Sequence, residues 1–188
     1  KMAMMIAQNG PGITNFVTST AAAYRAQSPV VVITPETGSA TIGLGGFQET
    51  EQLPIFSKIT KYQAHVSKHP RMAELTARSF DMAMSERGPA QFNIPRDNFY
   101  GEADYEIGKP RKISRGPGAE ESLAEAADLL ANAKFPVIVS GGGVIFSDGV
   151  AECAALAEQL GAPVVNSYLH NDSFPADHPL WCGPLGYQ

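Results

Sequence analysis

Two apolar runs separated by a glycine-rich turn and an alanine-rich segment open the chain, and this arrangement constrains the fold most. Residues 2–7 (Met2, Met4, Met5 and Ile6 among them) read as a buried strand. Gly10-Pro11-Gly12 reads as a turn, and residues 13–27 as a helix with Phe16, Thr20, Ala23 and Tyr24 on one face. Residues 29–34, Pro-Val-Val-Val-Ile-Thr, form a β-branched run suited to a central strand covered on both faces. Strand, helix and strand in this order predict a parallel βαβ unit, hence an α/β fold of parallel sheets flanked by helices. The Gly10–Gly12 turn is equally an ordinary tight turn and a place where a ligand reaches the backbone.

The rhythm continues. A Gly/Ser/Thr-rich loop spans 35–46, a short helical segment 53–59 and a strand 62–66. Residues 70–87 predict a helix that starts at Pro70, ends at Gly88-Pro89, and turns Met72, Leu75, Ser79, Met82 and Ala83 inward. Gln91-Phe92-Asn93-Ile94 is the next strand. Residues 101–119 then turn polar and rich in Pro and Gly, as inter-domain linkers do. Lys109, Arg111, Lys112 and Arg115 there read as a solvated face. Beyond it we expect a helix over 120–133 with Leu123, Ala127 and Leu130 in one stripe, a strand over 135–140, a helix over 148–160 ended by Gly161, and a strand over 163–166. The expected layout is a first domain over 1–107, a linker over 108–119 and a second domain over 120–188. Both ends look cut, as in an internal fragment of a longer polypeptide.

Composition narrows the class. Hydrophobic residues make up 44% and charged residues 18% of 188, so the chain is globular. A formal net charge of −5 without a basic patch argues against nucleic acid as a partner. Apolar runs fall far short of the ~20 residues a membrane span needs. Cys153 and Cys182 have neither disulfide nor metal-ligand spacing and read as structural thiols, and no metal ligands are expected in the chain. A cytoplasmic enzyme fits best.

Asn9-Gly10-Pro11-Gly12-Ile13-Thr14-Asn15 with Gly45-Gly46-Phe47-Gln48-Glu49-Thr50 resembles the thiamine-diphosphate enzymes of the acetolactate synthase type. Within that superfamily, residues 7–12, 43–49 and His170-Asn171-Asp172-Ser173-Phe174-Pro175 look like the acetyltransferase subfamily that acts on sulfoacetaldehyde. The resemblance implies part of a pyrimidine-binding domain followed by part of the central domain. It implies thiamine diphosphate and Mg²⁺ as cofactors, sulfoacetaldehyde and phosphate as substrates, acetyl phosphate and sulfite as products, and a homodimer or homotetramer. An acetolactate synthase, a 2-oxoacid decarboxylase, or a non-catalytic nucleotide-binding α/β protein are the rival readings.

Carried residue by residue, the resemblance makes Gln8, Pro11, Asn15 and Gln48 cofactor contacts. Gln48 would also be catalytic, orienting the substrate or its adduct, and Phe47 would wall the substrate pocket. Side-chain amides both donate and accept, so Gln8 and Asn15 suit an aminopyrimidine edge, although turn stabilisation and helix capping are their usual roles. His170 and Asn171 would bind a substrate anion, or else cap the following turn. Glu49 lies on the wrong element to be the activating acid and reads as an ion-pair or interface residue. Gly141-Gly142-Gly143 reads as a packed turn rather than a flavin site, because Phe146 stands where a dinucleotide fingerprint has its last glycine. The superfamily's activating glutamate and its Gly-Asp-Gly/Asn metal motif are absent from the sequence. The chain alone is therefore expected to bind the cofactor weakly and to be inactive.

Overall fold

The computed structural model describes residues 2–109, 111, 113 and 116–186. Lys1 and Gln188, and Pro110, Lys112 and Arg115 of the basic stretch, lie outside the described residues. The chain divides into two compact units, Lys1–Ser114 and Arg115–Gln188.

The first unit holds β1 (Ala3–Ile6), α1 (Pro11–Thr14), α2 (Val17–Arg25), β2 (Val30–Glu36), α3 (Gln52–Phe56), β3 (Tyr62–His65), α4 (Met72–Ser85) and β4 (Pro89–Pro95). Its four strands are parallel in the order β1-β2-β4-β3, with Ile33 opposite Phe92 and Thr34 opposite Asn93. Paired residues of parallel strands share a face, and the face alternates along each strand. Val31, Ala64, Ala90, Phe92 and Ile94 therefore point one way and pack with Leu75 and Ala83 of α4. Burying a side chain such as Phe92 contributes about 1.5–3 kcal/mol.

The opposite face changes character along its length. Toward the amino ends, Val30 and Val32 pack with Ile13 and Phe56. Toward the carboxyl ends, Thr34, Glu36, Gln63, His65, Gln91 and Asn93 take over. Buried polar groups persist only when paired; Thr34, Gln91 and Asn93 are buried, and with the partly buried Gln63 and Glu36 and the exposed His65 they form a chain. Gln63 Nε2 donates to Gln91 Oε1 at 2.6 Å, Gln91 Nε2 to Thr34 Oγ1 at 3.1 Å, and the Thr34 hydroxyl to Asn93 Oδ1 at 2.7 Å. Asn93 Nδ2 then donates to Glu36 Oε2 at 2.8 Å, and His65 Nε2 lies 2.9 Å from the same oxygen.

Three expectations for this unit need correction. The strand over 2–7 is an edge strand, not a buried one: Met4 is 56% exposed, while Met5 and Ala7 pack on the Val30/Val32 side and Met2 on the Val31/Phe92 side. The helix over 13–27 is broken in two. Asn15 Nδ2 donates to the Pro11 carbonyl at 2.6 Å and so competes for the acceptor that a continuing helix would use. The helix expected from Pro70 begins instead as a 3₁₀ turn over His69–Arg71, and only Leu75, Ser79 and Ala83 of its inward face are fully buried.

The second unit holds α5 (Glu120–Ala131), β5 (Ile138–Ser140), α6 (Gly142–Phe146), α7 (Val150–Leu160), β6 (Val164–Asn166) and β7 (Trp181–Pro184). Its three strands are parallel in the order β5-β6-β7. Ala157 of α7, Val164 and Phe174 form its core, and Gly161 ends α7 in the left-handed conformation at φ 60°. The apolar stripe of α5 does not face this core, and Leu123 is 51% exposed. β5 starts three residues later than expected. The strand β7 was not anticipated, since Gly183 and Pro184 argue against a strand interior; it forms at the sheet edge, where they are tolerated.

Candidate functional site

Open parallel sheets bind ligands beyond the carboxyl ends of their strands. In the first unit that end carries the turn after β1 and the loop after β2. The two meet at Gly10 and Gln48. Gly10 has φ 67° and ψ −113°, a conformation essentially reserved for glycine. A side chain there would also overlap the Gln48 carbonyl oxygen and lie 3.2 Å from Gln48 Cβ. Both facts require glycine at this position.

Asn9 fastens the junction. Its Nδ2 donates to the carbonyls of Phe47 at 3.2 Å and Gln48 at 3.3 Å. Gln8 accepts the Ile13 N–H on its backbone carbonyl at 3.1 Å, and its side chain is exposed. Pro11 and Asn15 lie exposed on the same turn. Gly12 fits tightly beneath it, with a position for Cβ 3.2 Å from Ala7 Cβ.

Gln48 is a non-glycine residue at φ 58°. Such strain costs of order 1–3 kcal/mol and persists where neighbours enforce it. Its Oε1 is buried and has no hydrogen-bond partner among the described residues. An orphaned buried acceptor is costly and therefore informative. Phe47 is 78% exposed beside it.

The loop leading to Gln48 is tied at several points. Asp97 Oδ1 accepts the Ser39 N–H at 2.7 Å, and its Oδ2 accepts the Ser39 hydroxyl at 2.6 Å. The Ser39 hydroxyl, then its N–H, hold the Asp97 carboxyl below the ordinary range. Glu49, expected as an ion-pair or interface residue, turns its carboxylate onto the loop's own backbone. Its carboxylate accepts the N–H groups of Gly43 and, at 2.8 Å, Gly46, and these two bonds lower its pKa, the Gly43 bond more. Gln52 is buried, and its Nε2 donates to the Pro35 carbonyl at 2.7 Å.

The structure thus brings Asn9, Gly10, Phe47 and Gln48 together and puts Gln8, Pro11 and Asn15 on the same turn. Asn9 was in the sequence motif but not among the expected site residues. Its signal was an amide preceding a glycine with no helix of its own to cap. No cluster of three side chains able to ligate a metal occurs among the described residues.

His170 and Asn171 belong to the second unit. The His170 ring covers Gly142, whose Cβ would stand 2.7 Å from His170 Nε2, and meets Phe146 edge-on at 5.8 Å. Ser167 Oγ covers Gly141 at 2.8 Å from its Cβ position. Asn166, fully buried, donates to Ser173 Oγ at 2.9 Å and to the His170 carbonyl at 3.3 Å, which fixes the loop. Asn171 is exposed.

Comparison with known proteins bears on both units. Residues 1–55 match the thiamine pyrophosphate enzyme N-terminal TPP binding domain, and residues 123–188 match the thiamine pyrophosphate enzyme central domain. The chain is 66% identical to a sulfoacetaldehyde acetyltransferase of Castellaniella defragrans over 98% of its length and 31% of the relative's. It is 32% identical to an acetolactate synthase of Arthrospira platensis over 99% of its length and 33% of the relative's. A solved structure of a candidate thiamin diphosphate-dependent enzyme from Mycobacterium smegmatis superposes with a TM-score of 0.88 at 27% identity, covering 99% of this chain and 37% of that one. The chain spans about a third of the length of the curated relatives it matches.

Proposed function

The chain belongs to the thiamine pyrophosphate enzymes, and from that premise we propose that it is part of a sulfoacetaldehyde acetyltransferase. The reaction is sulfoacetaldehyde plus phosphate giving acetyl phosphate plus sulfite. Similarity to relatives named for that activity carries the reading.

The residues of the Gly10–Gln48 junction fit the cofactor. Gln48 Oε1 is an acceptor without a donor, which an exocyclic amine would supply. Gln8 and Asn15 offer amides from the exposed side of the turn, and Pro11 offers an apolar contact. When bound, thiamine diphosphate supplies the carbon nucleophile and electron sink of the reaction. The chain's own part is to orient: Gln48 holds the aminopyrimidine or the reacting aldehyde, Phe47 walls the pocket and excludes water, and His170 with Asn171 contributes groups for an anion. Mg²⁺ would accompany the diphosphate of the bound cofactor, and the chain alone would be inactive. The domain limits are 1–107 and 120–188 with a linker between, and the complete enzyme is a cytoplasmic homodimer or homotetramer.

The test supplies the complete protein with thiamine diphosphate, Mg²⁺, phosphate and sulfoacetaldehyde, and measures sulfite and acetyl phosphate together. Equal release of both is expected. Turnover of pyruvate alone would make it an acetolactate synthase or decarboxylase, and turnover of neither would favour a non-catalytic relative.

A further inference from the structure

We propose that Glu49 is the positioning residue of Gln48, acting by holding the Gly43–Gly46 segment closed. This rests on the reading of Gln48 as a site residue. Besides Glu49, the Leu44 N–H donates to the Thr41 carbonyl at 3.1 Å and Gly46 packs on Thr37. Gly43 and Gly45 sit at φ 81° and 71°, conformations that a glycine-rich chain adopts and leaves freely. Leu44 is 77% exposed and Phe47 is also exposed, so packing does not fix the loop. One side chain crosses it: the Glu49 carboxylate takes N–H groups from both Gly43 and Gly46, while the Glu49 N–H donates to the Gly46 carbonyl at 2.9 Å.

Charge-assisted bonds to two amides are stronger and more directional than neutral ones. They close a ring whose last members before Glu49 are Phe47 and Gln48. On one side Gly46 is pressed onto Thr37, with a Cβ position 2.5 Å from Thr37 Oγ1. On the other, Gln48 is pressed onto Gly10 and held by Asn9. Glu49 joins the glycine segment to that contact, and so sets the left-handed backbone at Gln48 and the direction of its amide. A glutamine at 49 accepts one glycine N–H but turns its own N–H toward the other, which breaks the ring while keeping size.

The test uses the complete protein with Glu49→Gln, Gln48→Ala and both together. Hydrogen exchange is expected to speed at least tenfold over residues 43–48 in Glu49→Gln and to stay unchanged in β2 and β4. Sulfite release by the double variant is expected to equal that of Gln48→Ala alone, because a residue that acts through Gln48 has nothing to add once Gln48 is gone. Unchanged exchange over 43–48, or single losses that multiply in the double variant, would overturn the proposal. If the complete protein releases no sulfite, the functional reading fails, and the exchange comparison alone decides the role of Glu49.

Discussion

Gly10 and Gln48 stand 38 positions apart in sequence, and their backbones touch: any side chain at residue 10 would overlap the Gln48 carbonyl. Gly10→Ala is expected to cost about 1–3 kcal/mol through its backbone conformation alone, with the overlap in addition. Urea unfolding measures it. A loss under 0.5 kcal/mol would mean that the turn relaxes and that the contact is not fixed.

Asn9 makes the same contact from its side chain. Asn9→Ala removes two hydrogen bonds, each contributing about 0.5–1.5 kcal/mol. Asn9→Asp is expected to destabilise more than Asn9→Ala, because a carboxylate would face the carbonyls of Phe47 and Gln48. Equal stability of the two variants would show that the amide is not directed at those carbonyls.

The chain of polar side chains on the first sheet runs through Asn93, which is fully buried. Asn93→Ala leaves the Thr34 hydroxyl without its acceptor and Glu36 without one donor. The expected loss is about 2–4 kcal/mol. Phe92→Ala, on the opposite face of the same strand, is expected to cost about 3–5 kcal/mol by leaving a cavity. Comparable unfolding midpoints for wild type and Asn93→Ala would contradict the pairing.

Acid should loosen the loop after β2. The Asp97 carboxyl is held below its ordinary range by the Ser39 hydroxyl and N–H, so its folded pKa lies under its unfolded one. A depressed pKa contributes stability that is complete above about pH 4 and is lost as pH falls through the folded value. Urea unfolding of wild type and Asp97→Asn is expected to differ most near neutral pH and to converge in acid. Glu49 and Glu74 shift in the same direction in both proteins, so the difference isolates Asp97. A gap that widens in acid would contradict the assignment.

Much of the framework was legible because single segments dictate it. The β-branched run of β2, the apolar alternation of β4 and the left-handed stop at Gly161 each announce an element locally. What was hidden depends on register or on a competing local bond. The break after α1 comes from the Asn15 amide capturing a carbonyl, which periodicity ignores. The polar chain from Gln63 to Glu36 exists only once β2, β4 and β3 are set side by side. Glu49 read as an ion-pair or interface residue, and its bonds to the Gly43 and Gly46 N–H groups were hidden because backbone donors carry no mark in sequence. The glycine-rich turn at 10–12 and the Gly45-Gly46 pair each read as places where backbone comes close to another group. The sequence could not say that Gly10 meets Gln48 in particular.

Sulfite release by the Gln48→Ala variant of the complete protein decides whether Gln48, set by this junction, acts on the reacting groups. Turnover at least tenfold below wild type, about 1.4 kcal/mol of barrier, is expected, with the unfolding midpoint unchanged. Wild-type turnover in that variant would contradict it.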